Sequence, residues 1–175
     1  MSATHAPHGG SDAGGALAFA LLTVSDTRSG ADDVSGSLMR ELVAASGHSV
    51  SASAIVPDDA QAVREQILSW ALDAGHDVIV SSGGTGLSAR DTTVEAVSDL
   101  FDVRIDGFGE LFRFLSFEEI GSGAMLSRAA AGVVRGTPVF LLPGSPKAVT
   151  LALTRLILPE IGHLAGELRR HGPRG

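Results

Sequence analysis

The feature that most constrains the fold is a short apolar run that stops abruptly at a glycine-rich loop. Residues 77–81 read Asp-Val-Ile-Val-Ser, and residues 82–86 read Ser-Gly-Gly-Thr-Gly. The loop continues to Arg90 and Asp91, and a helix-start pattern follows. A strand, a glycine loop and a helix in this order are typical of anion sites in α/β proteins, because glycines let backbone N–H groups approach a phosphate. A tight turn without a ligand is the alternative interpretation.

Strand-like and helix-like patterns alternate on the amino-terminal side of this loop. Strands are predicted at about residues 17–24 and 48–56. Helices are predicted at about residues 35–46 and 60–74 from the spacing of apolar side chains. With the strand at 77–81, the order is β-α-β-α-β, which requires parallel strands joined by right-handed crossovers. The predicted fold class is therefore α/β.

A short helix and a phenylalanine-rich helix are predicted after the loop. Thr92 and Glu95 form a capping-box pattern, so the short helix is expected from about Thr93. Residues 101–106 are expected to be extended or looped, and residues 107–110 open the second helix. Its buried face is predicted from a stripe at i, i+3, i+4 and i+7. The stripe consists of Phe108, Leu111, Phe112 and Leu115.

Phe114 and Phe117 lie off that stripe, in a part of the chain where aromatic residues are dense. Core packing is one interpretation of this cluster. The other is that the phenylalanines outside the stripe mark a subunit interface.

The last part of the chain predicts a strand pair and a long helix. Residues 129–134 and 137–142 are apolar and closely connected, which favours a hairpin. Ser145 is a natural N-cap and Pro146 a natural first helical residue, so a helix begins there. Pro159 is expected to kink this helix or to start a final segment.

Composition limits the classes of function. The 175 residues suit one domain, predicted over residues 16–170, between a disordered tail at 1–15 and a short tail at 171–175. The net charge of −7 argues against a nucleic-acid partner, which needs a basic face. The chain has no cysteine, so disulfides and thiolate chemistry are excluded. No apolar stretch in the sequence is long enough to span a membrane, and we expect a cytoplasmic protein.

Carboxylates follow the predicted strands at the points where the strands end. Asp26 follows the first strand, Asp58 follows the second, and Asp91 ends the glycine loop. Since ligands of open α/β sheets bind at the carboxyl ends of the strands, all three are candidate site residues, and Asp58 and Asp91 are candidates for holding Mg²⁺ beside phosphates. Asp58 and Asp91 also have a structural interpretation, as helix-start residues favoured by the helix dipole.

Lys147 is the only lysine of the chain and falls in the first turn of the last predicted helix. A cation at a helix N-terminus opposes the helix dipole unless an anion is close by. A phosphate would supply that anion. A solvated surface lysine is the alternative.

Five motifs in this order resemble the MogA/MoaB family of molybdenum cofactor biosynthesis proteins. The resemblance covers residues 17 to about 165, and the stretch from Phe112 to Ile120 is closer to the MoaB branch. Ser82 and Thr92 depart from the family's usual threonine and valine, and both keep the site polar. The motifs are Thr23-Val24-Ser25-Asp26-Thr27, Val56-Pro57-Asp58-Asp59, Ser82-Gly83-Gly84-Thr85-Gly86 with Arg90-Asp91-Thr92-Thr93, Gly107-Phe108-Gly109-Glu110 and Leu142-Pro143-Gly144-Ser145-Pro146-Lys147.

The resemblance implies a three-layer α/β/α sandwich with a mostly parallel sheet, the molybdopterin-binding, MogA-like fold. It implies that the terminal phosphate of molybdopterin attacks the α-phosphate of Mg-ATP, giving adenylyl-molybdopterin and pyrophosphate. It further implies Mg²⁺ as cofactor, ATP and molybdopterin as substrates, a homotrimer or dimer of trimers, and hand-off to a molybdenum-inserting partner. Such chemistry depends mainly on positioning and charge neutralisation.

The resemblance also implies roles for individual positions. Asp58 and Asp91 match acidic positions that serve metal binding and catalysis. Arg90 and Arg128 are candidates for neutralising anionic charge. The positions expected to bind nucleotide or molybdopterin are Ser82, Gly83, Gly84, Thr85 and Gly86 in the loop, Ser25, Asp26 and Asp33 near the first strand, and Glu110, Pro143, Gly144, Ser145 and Lys147 on the substrate side.

Two alternatives to this enzyme stay open. The first is a non-catalytic molybdopterin-binding or scaffold protein of the same pathway, against which the presence of Asp58 and Asp91 argues. The second is the related domain of competence-damage proteins, which hydrolyse nucleotides. The motifs at 107–110 and 145–147 disfavour that domain.

Overall fold

A single six-stranded sheet forms the centre of the computed structural model, which describes residues 15–27 and 32–171. The predicted tails at 1–15 and 171–175 lie outside this part of the chain, apart from Gly15 and His171. The strands are β1 (Ala18–Val24), β2 (Ser49–Val56), β3 (Val78–Ser82), β4 (Val103–Arg104), β5 (Ala130–Val134) and β6 (Thr137–Leu142).

The sheet is mostly parallel, as the alternation of strands and helices predicted. The strand order is β2-β1-β3-β6-β5-β4, and the first four strands run in one direction. β5 is antiparallel to both of its neighbours, β6 and β4. The β5–β6 hairpin is confirmed, with Val134 paired to Thr137 across the Arg135-Gly136 turn.

Helices cover both faces of the sheet and complete a three-layer α/β/α sandwich. Phe19 and Leu21 of β1 belong to the core on one face, and Ala20 and Leu22 to the core on the other. The helices are α1 (Val34–Ala45), α2 (Ala60–Leu72), α3 (Thr93–Ser98), α4 (Asp106–Ile120), α5 (Pro146–Ala152) and α6 (Leu158–His171). Side chains of α1, α4, α5 and α6 pack into the first core, and those of α2 and α3 into the second.

The capping box predicted at Thr92 is wrong, although the helix does begin at Thr93. Thr92 has helical backbone angles, φ −106° and ψ −2°, and its side chain accepts no hydrogen bond from the helix. Glu95 instead pairs with Arg128. The local pattern predicted the helix start correctly, but the Glu95 side chain that the capping box requires forms an ion pair with a residue distant in sequence.

The buried stripe predicted for α4 is wrong at Leu111, whose side chain is 54% exposed. Phe108, Phe112 and Ser116 are buried at intervals of four residues. Phe108 and Phe112 belong to the core on this face of the sheet, which leaves Leu111 on the outer side. Phe114 and Phe117 are also exposed, at 60% and 59%.

The prediction that Pro159 starts a final segment is confirmed, because α6 begins at Leu158, one residue before the proline. A π-helical turn (Leu153–Ile157) joins α5 to α6, and the Leu158 N–H donates to the Leu153 carbonyl. Such a wider turn relieves the crowding that a proline ring causes at the carbonyl four residues before it.

This continuous stretch, Pro146–Arg170, is long and apolar enough to cross a membrane by length and composition alone. The sequence-based expectation that no such stretch exists is therefore not met by the structure. Val149, Leu153, Ile157 and Ile161 are buried in the core on one side of it, as in the core helix of a globular protein.

Candidate active site at the carboxyl edge of the sheet

The carboxyl ends of β2, β1, β3 and β6 lie side by side, so the segments that follow these strands meet at one edge. The Asp58 N–H donates to Asp26 Oδ1 at 2.9 Å, which joins the segments after β2 and β1. The Gly83 N–H donates to the Leu142 carbonyl at 3.0 Å, which joins those after β3 and β6. The predicted convergence of the strand ends is confirmed.

The glycine loop after β3 needs glycine for steric reasons at two positions. Gly83 and Gly84 have φ of +110° and +65°, in the region that side chains disfavour. A Cβ on Gly83 would lie 2.2 Å from the Val24 carbonyl oxygen, and one on Gly84 would lie 2.1 Å from Thr93 Oγ1. The loop therefore lies directly against the end of β1 and the start of α3.

A cavity of about 440 Å³ opens beside this loop. One wall is polar and consists of loop backbone, Asp91 and the turn after β6. The opposite wall comes from α4 and the 3₁₀ turn at Gly121–Leu126 and is mostly apolar. The lining residues include Gly83, Gly84, Thr85, Gly86, Asp91, Pro143, Gly144 and Ser145 on the first wall, and Phe112, Ser116, Ile120, Ala124 and Leu126 on the second.

Asp58 has a carboxyl group in an unusual environment just behind Gly84. Its Oδ1 atom is buried and has no hydrogen-bond partner among the described residues. Burial raises the pKa of the Asp58 carboxyl above its ordinary value, and the charges of Asp91 and Asp26 raise it further. A hydrogen bond from the Thr92 backbone N–H partly opposes this increase. A nearby cation would offset both the cost of burying the charged carboxylate and its repulsion by the neighbouring carboxylates.

Asp91 reaches the cavity from the far end of the loop. Its Oδ2 accepts a hydrogen bond from the Ser88 N–H at 2.9 Å. A Cβ added to Gly86 would lie 2.7 Å from the same oxygen, so the carboxylate packs closely against the loop. In the part of the chain that the structure describes, no group of three or more His, Cys, Asp or Glu could hold a metal ion by itself. Two carboxylates, Asp58 and Asp91, suit Mg²⁺, which takes its remaining oxygens from substrate phosphates and water.

The other predicted site residues fall into two groups. Ser82 is buried, its Oγ 3.5 Å from the Pro143 carbonyl. Ser25 and Asp26 follow β1 at the same edge, beside Asp58. Ser145 borders the cavity while its Oγ accepts the Ala148 N–H at 3.2 Å as the N-cap of α5.

Asp33, Glu110 and Lys147 do not line the cavity. Asp33 is only 3% exposed, caps α1 through the Gly36 N–H, and accepts the Thr23 hydroxyl at 2.8 Å. Glu110 is exposed on α4. Lys147 is exposed on α5 and lines a separate cleft that also contains Glu119 and Arg155.

The two arginines predicted to neutralise anions differ in environment. Arg90 is exposed at the tip of the loop. Arg128 is half-buried and points at the loop backbone, where its Nε donates to the Thr85 carbonyl at 3.1 Å.

Sequence reasoning missed the apolar wall of the cavity. Ile120, Ala124 and Leu126 come from the end of α4 and the 3₁₀ turn after it. The glycines at 121 and 123 were the available signal, because two glycines between apolar residues indicate a turn rather than a continuing helix.

Fold and site together define a class of α/β protein in which a glycine-rich loop and an apolar wall enclose a cavity, with one carboxylate, Asp91, in its lining and a second, Asp58, behind the loop. Comparison with known proteins narrows this class. The sequence profile of a family described as "probable molybdopterin binding domain" matches residues 20–163. The chain belongs to this family.

Individual relatives agree with the family assignment. The chain is 48% identical over 151 residues to molybdenum cofactor biosynthesis protein B of Bacillus cereus, an alignment that covers 86% of this chain and 89% of the relative. A crystal structure of a molybdenum cofactor biosynthesis protein B superposes with a TM-score of 0.88 at 46% identity and covers 90% of this chain and 98% of that one.

A more distant structural relative is the tungsten cofactor synthesizing protein MoaB from Pyrococcus furiosus. Its TM-score is 0.76 at 39% identity, with 88% of this chain and 98% of that chain covered. These similarities confirm the resemblance to the MogA/MoaB family and to its fold.

Proposed function

We propose that this protein acts in molybdenum cofactor biosynthesis and transfers an adenylyl group from Mg-ATP to the terminal phosphate of molybdopterin. An oxygen of that phosphate forms a bond to the α-phosphorus of ATP, and the bond from the α-phosphorus to the bridging oxygen breaks. The products are adenylyl-molybdopterin and pyrophosphate. The observation that carries the proposal is a cavity lined by a glycine loop and Asp91, with the Asp58 carboxyl directly behind Gly84.

The polar wall supports the nucleotide half of this proposal. Gly83, Gly84 and Gly86 bring backbone close to the cavity without side chains in between. Backbone N–H groups in such a loop bind phosphate oxygens, and their fixed orientation needs no rearrangement during the reaction. The Thr85 side chain is buried and helps to shape the loop.

The apolar wall supports the molybdopterin half. A pterin is a flat heterocycle, and Ile120 and Leu126 offer it exposed apolar surface at the mouth of the cavity. Ser145 and Gly144 lie on the other side, at the start of α5. A helix N-terminus favours a negatively charged group, so the terminal phosphate fits here.

Asp58 and Asp91 would hold Mg²⁺. The orphaned Oδ1 of Asp58 and the raised pKa of its carboxyl fit a residue that gains a cation partner on substrate binding. When bound, the ion supplies charge neutralisation on the ATP phosphates. The protein's own part is to align the attacking phosphate with the α-phosphorus and to keep that alignment.

The deciding experiment measures pyrophosphate release from ATP with molybdopterin added and with it left out. Molybdopterin-dependent release with a matching yield of adenylyl-molybdopterin supports the proposal. If molybdopterin binds while no pyrophosphate forms over a range of Mg²⁺ concentrations, the protein is a binder or scaffold of the same pathway instead.

We also propose that the protein is a cytoplasmic homotrimer or dimer of trimers and passes its product to a molybdenum-inserting partner. What supports the oligomer is the apolar outer face of α4 and the following turn. Six large apolar side chains are exposed there within sixteen residues, namely Leu111, Phe114, Phe117, Ile120, Met125 and Leu126.

A further inference from the structure

Arg128 reaches the site because of the direction of one strand. β5 runs antiparallel to β6, so the residues just before β5 arrive at the edge where β6 ends. Arg128 lies two residues before β5, at the end of the connection from the 3₁₀ turn. Its guanidinium contacts the backbone at both ends of the glycine loop.

All three nitrogens of this guanidinium contact one segment of chain. Nε donates to the Thr85 carbonyl at 3.1 Å, and Nη2 donates to the Asp91 carbonyl at 2.7 Å. Nη1 pairs with the Glu95 carboxylate in the first turn of α3. Arg128 therefore holds both ends of the exposed stretch from Gly86 to Arg90.

The hydrogen bonds within that stretch are local. The Asp91 N–H donates to the Ser88 carbonyl at 3.0 Å, the Ser88 N–H to Asp91 Oδ2, and the Arg90 N–H to Ser88 Oγ at 3.3 Å. They shape the tip but do not attach it to the sheet. Arg128 attaches both ends of the stretch, next to the bond from the Thr93 N–H to the Gly84 carbonyl that closes the base of the loop, and its side chain is only 25% exposed.

We propose that Arg128 is a positioning residue that sets where the Asp91 carboxylate stands relative to Asp58 and the cavity. This inference rests on the proposed function for its catalytic meaning. It differs from the role predicted from the sequence, in which Arg128 neutralises a bound anion. The guanidinium is occupied by two carbonyls and by Glu95, whose charge balances its own.

The forked geometry explains why arginine is needed. A guanidinium donates several hydrogen bonds in one plane, and bonds that involve a charged donor are stronger than neutral ones. A lysine at this position would keep the positive charge and could pair with Glu95. Its three donors all start from one nitrogen, so it would not reproduce the spacing of the guanidinium contacts with the Thr85 and Asp91 carbonyls.

The test compares Arg128→Lys and Arg128→Gln with wild type and with a matched control, Arg64→Gln. Arg64 also bonds a backbone carbonyl of this region, Ala96 at 3.1 Å, but from α2 and away from the loop. Three quantities are measured on the full chain: amide exchange of residues 86–92, the Mg²⁺ concentration that half-saturates adenylyl transfer, and the Kd of molybdopterin.

In both Arg128 variants we expect faster amide exchange in the loop and an increase of about tenfold in half-saturating Mg²⁺, with a molybdopterin Kd changed by less than about twofold. Arg64→Gln should match wild type in all three. Partial unfolding would reduce the active fraction without raising the Mg²⁺ requirement. An Arg128→Lys variant with wild-type exchange and Mg²⁺ requirement would overturn the proposal.

Absence of turnover in wild type contradicts the proposed function but leaves this inference testable. Amide exchange alone then tests whether Arg128 attaches the loop. Faster exchange at 86–92 in both Arg128 variants but not in Arg64→Gln supports the attachment, and unchanged exchange refutes it.

Discussion

Asp58 carries a carboxylate that the fold places where a negative charge is unfavourable. Burial and the charges of Asp91 and Asp26 raise the pKa of this group, so the folded protein binds its proton more tightly than the unfolded chain does. Its contribution to stability is therefore present at low pH and is lost as the pH rises through the folded-state pKa. A carboxylate that the fold places in such an unfavourable environment is a candidate for a functional role.

Replacing Asp58 by Asn should raise the melting temperature at pH 7 in the presence of EDTA, because the amide stays neutral. The difference in melting temperature between the variant and wild type should vanish below about pH 4, where the Asp58 carboxyl is protonated in both the folded and the unfolded protein. Thermal unfolding over a range of pH measures this. Asp99→Asn, which removes an exposed carboxylate at the end of α3, is the control for the loss of a surface charge.

Replacing Asp91 by Asn should leave the fold intact, because the amide oxygen can still accept the Ser88 N–H. Adenylyl transfer should fall by about 100-fold or more, since outer-shell changes at metal sites already cost 10- to 100-fold. Steady-state turnover of molybdopterin and ATP measures the loss, with circular dichroism as the check on folding. Unchanged turnover would contradict the assignment of Asp91 to the metal.

Among the elements, the loop between β3 and α3 has little tolerance for change. It passes so close to β1 and α3 that a side chain at Gly84 would meet Thr93 Oγ1 and, at 2.9 Å, Asp58 Oδ1. Substitution there displaces both a helix start and a predicted metal ligand, so stability and activity should fall together.

Gly84→Ala should lower the free energy of unfolding by about 1–3 kcal/mol, from the positive φ and the steric overlap. Gly162→Ala is the matched control, because it lies in α6 with open space around it. It should raise the free energy of unfolding by about 0.5–1 kcal/mol, since alanine favours a helix. Urea denaturation distinguishes the two, and a neutral Gly84→Ala would contradict the described loop.

Several elements could be predicted because their signals are local. Ser145 and Pro146 located the start of α5, and the apolar runs around Arg135-Gly136 located the hairpin. Leu111 and the π turn before Pro159 could not be predicted. Which row of a helix faces the sheet, and how a helix continues past a proline, depend on neighbours that are distant in sequence.

At the scale of the whole molecule, the outer face of α4 differs from the rest of the described surface. Its exposed phenylalanines and leucines continue into the 3₁₀ turn and reach the mouth of the cavity at Ile120 and Leu126. Contiguous apolar surface of this kind favours a protein interface. An interface here would border the site.

The double variant Phe114→Ser with Phe117→Ser should reduce the mass measured by light scattering from that of an oligomer toward that of the 17.9 kDa chain. Leu72→Ser is the control, because Leu72 is similarly exposed but lies at the end of α2, outside the face. A wild-type protein that is monomeric at micromolar concentration would contradict the proposed oligomer.

The sequence by itself determined the alternation of strands and helices, the mostly parallel sheet, and the places of Asp26 and Asp58 after strands and of Asp91 at the end of the glycine loop. These follow from periodicity, glycines and caps, which act over a few residues. Only the tertiary structure decided that Asp33 is a buried cap, that Lys147 lies outside the cavity, and that Arg128 holds the glycine loop. The burial and the hydrogen-bond partners of these side chains depend on segments that are distant along the chain, so no local sequence pattern predicts them.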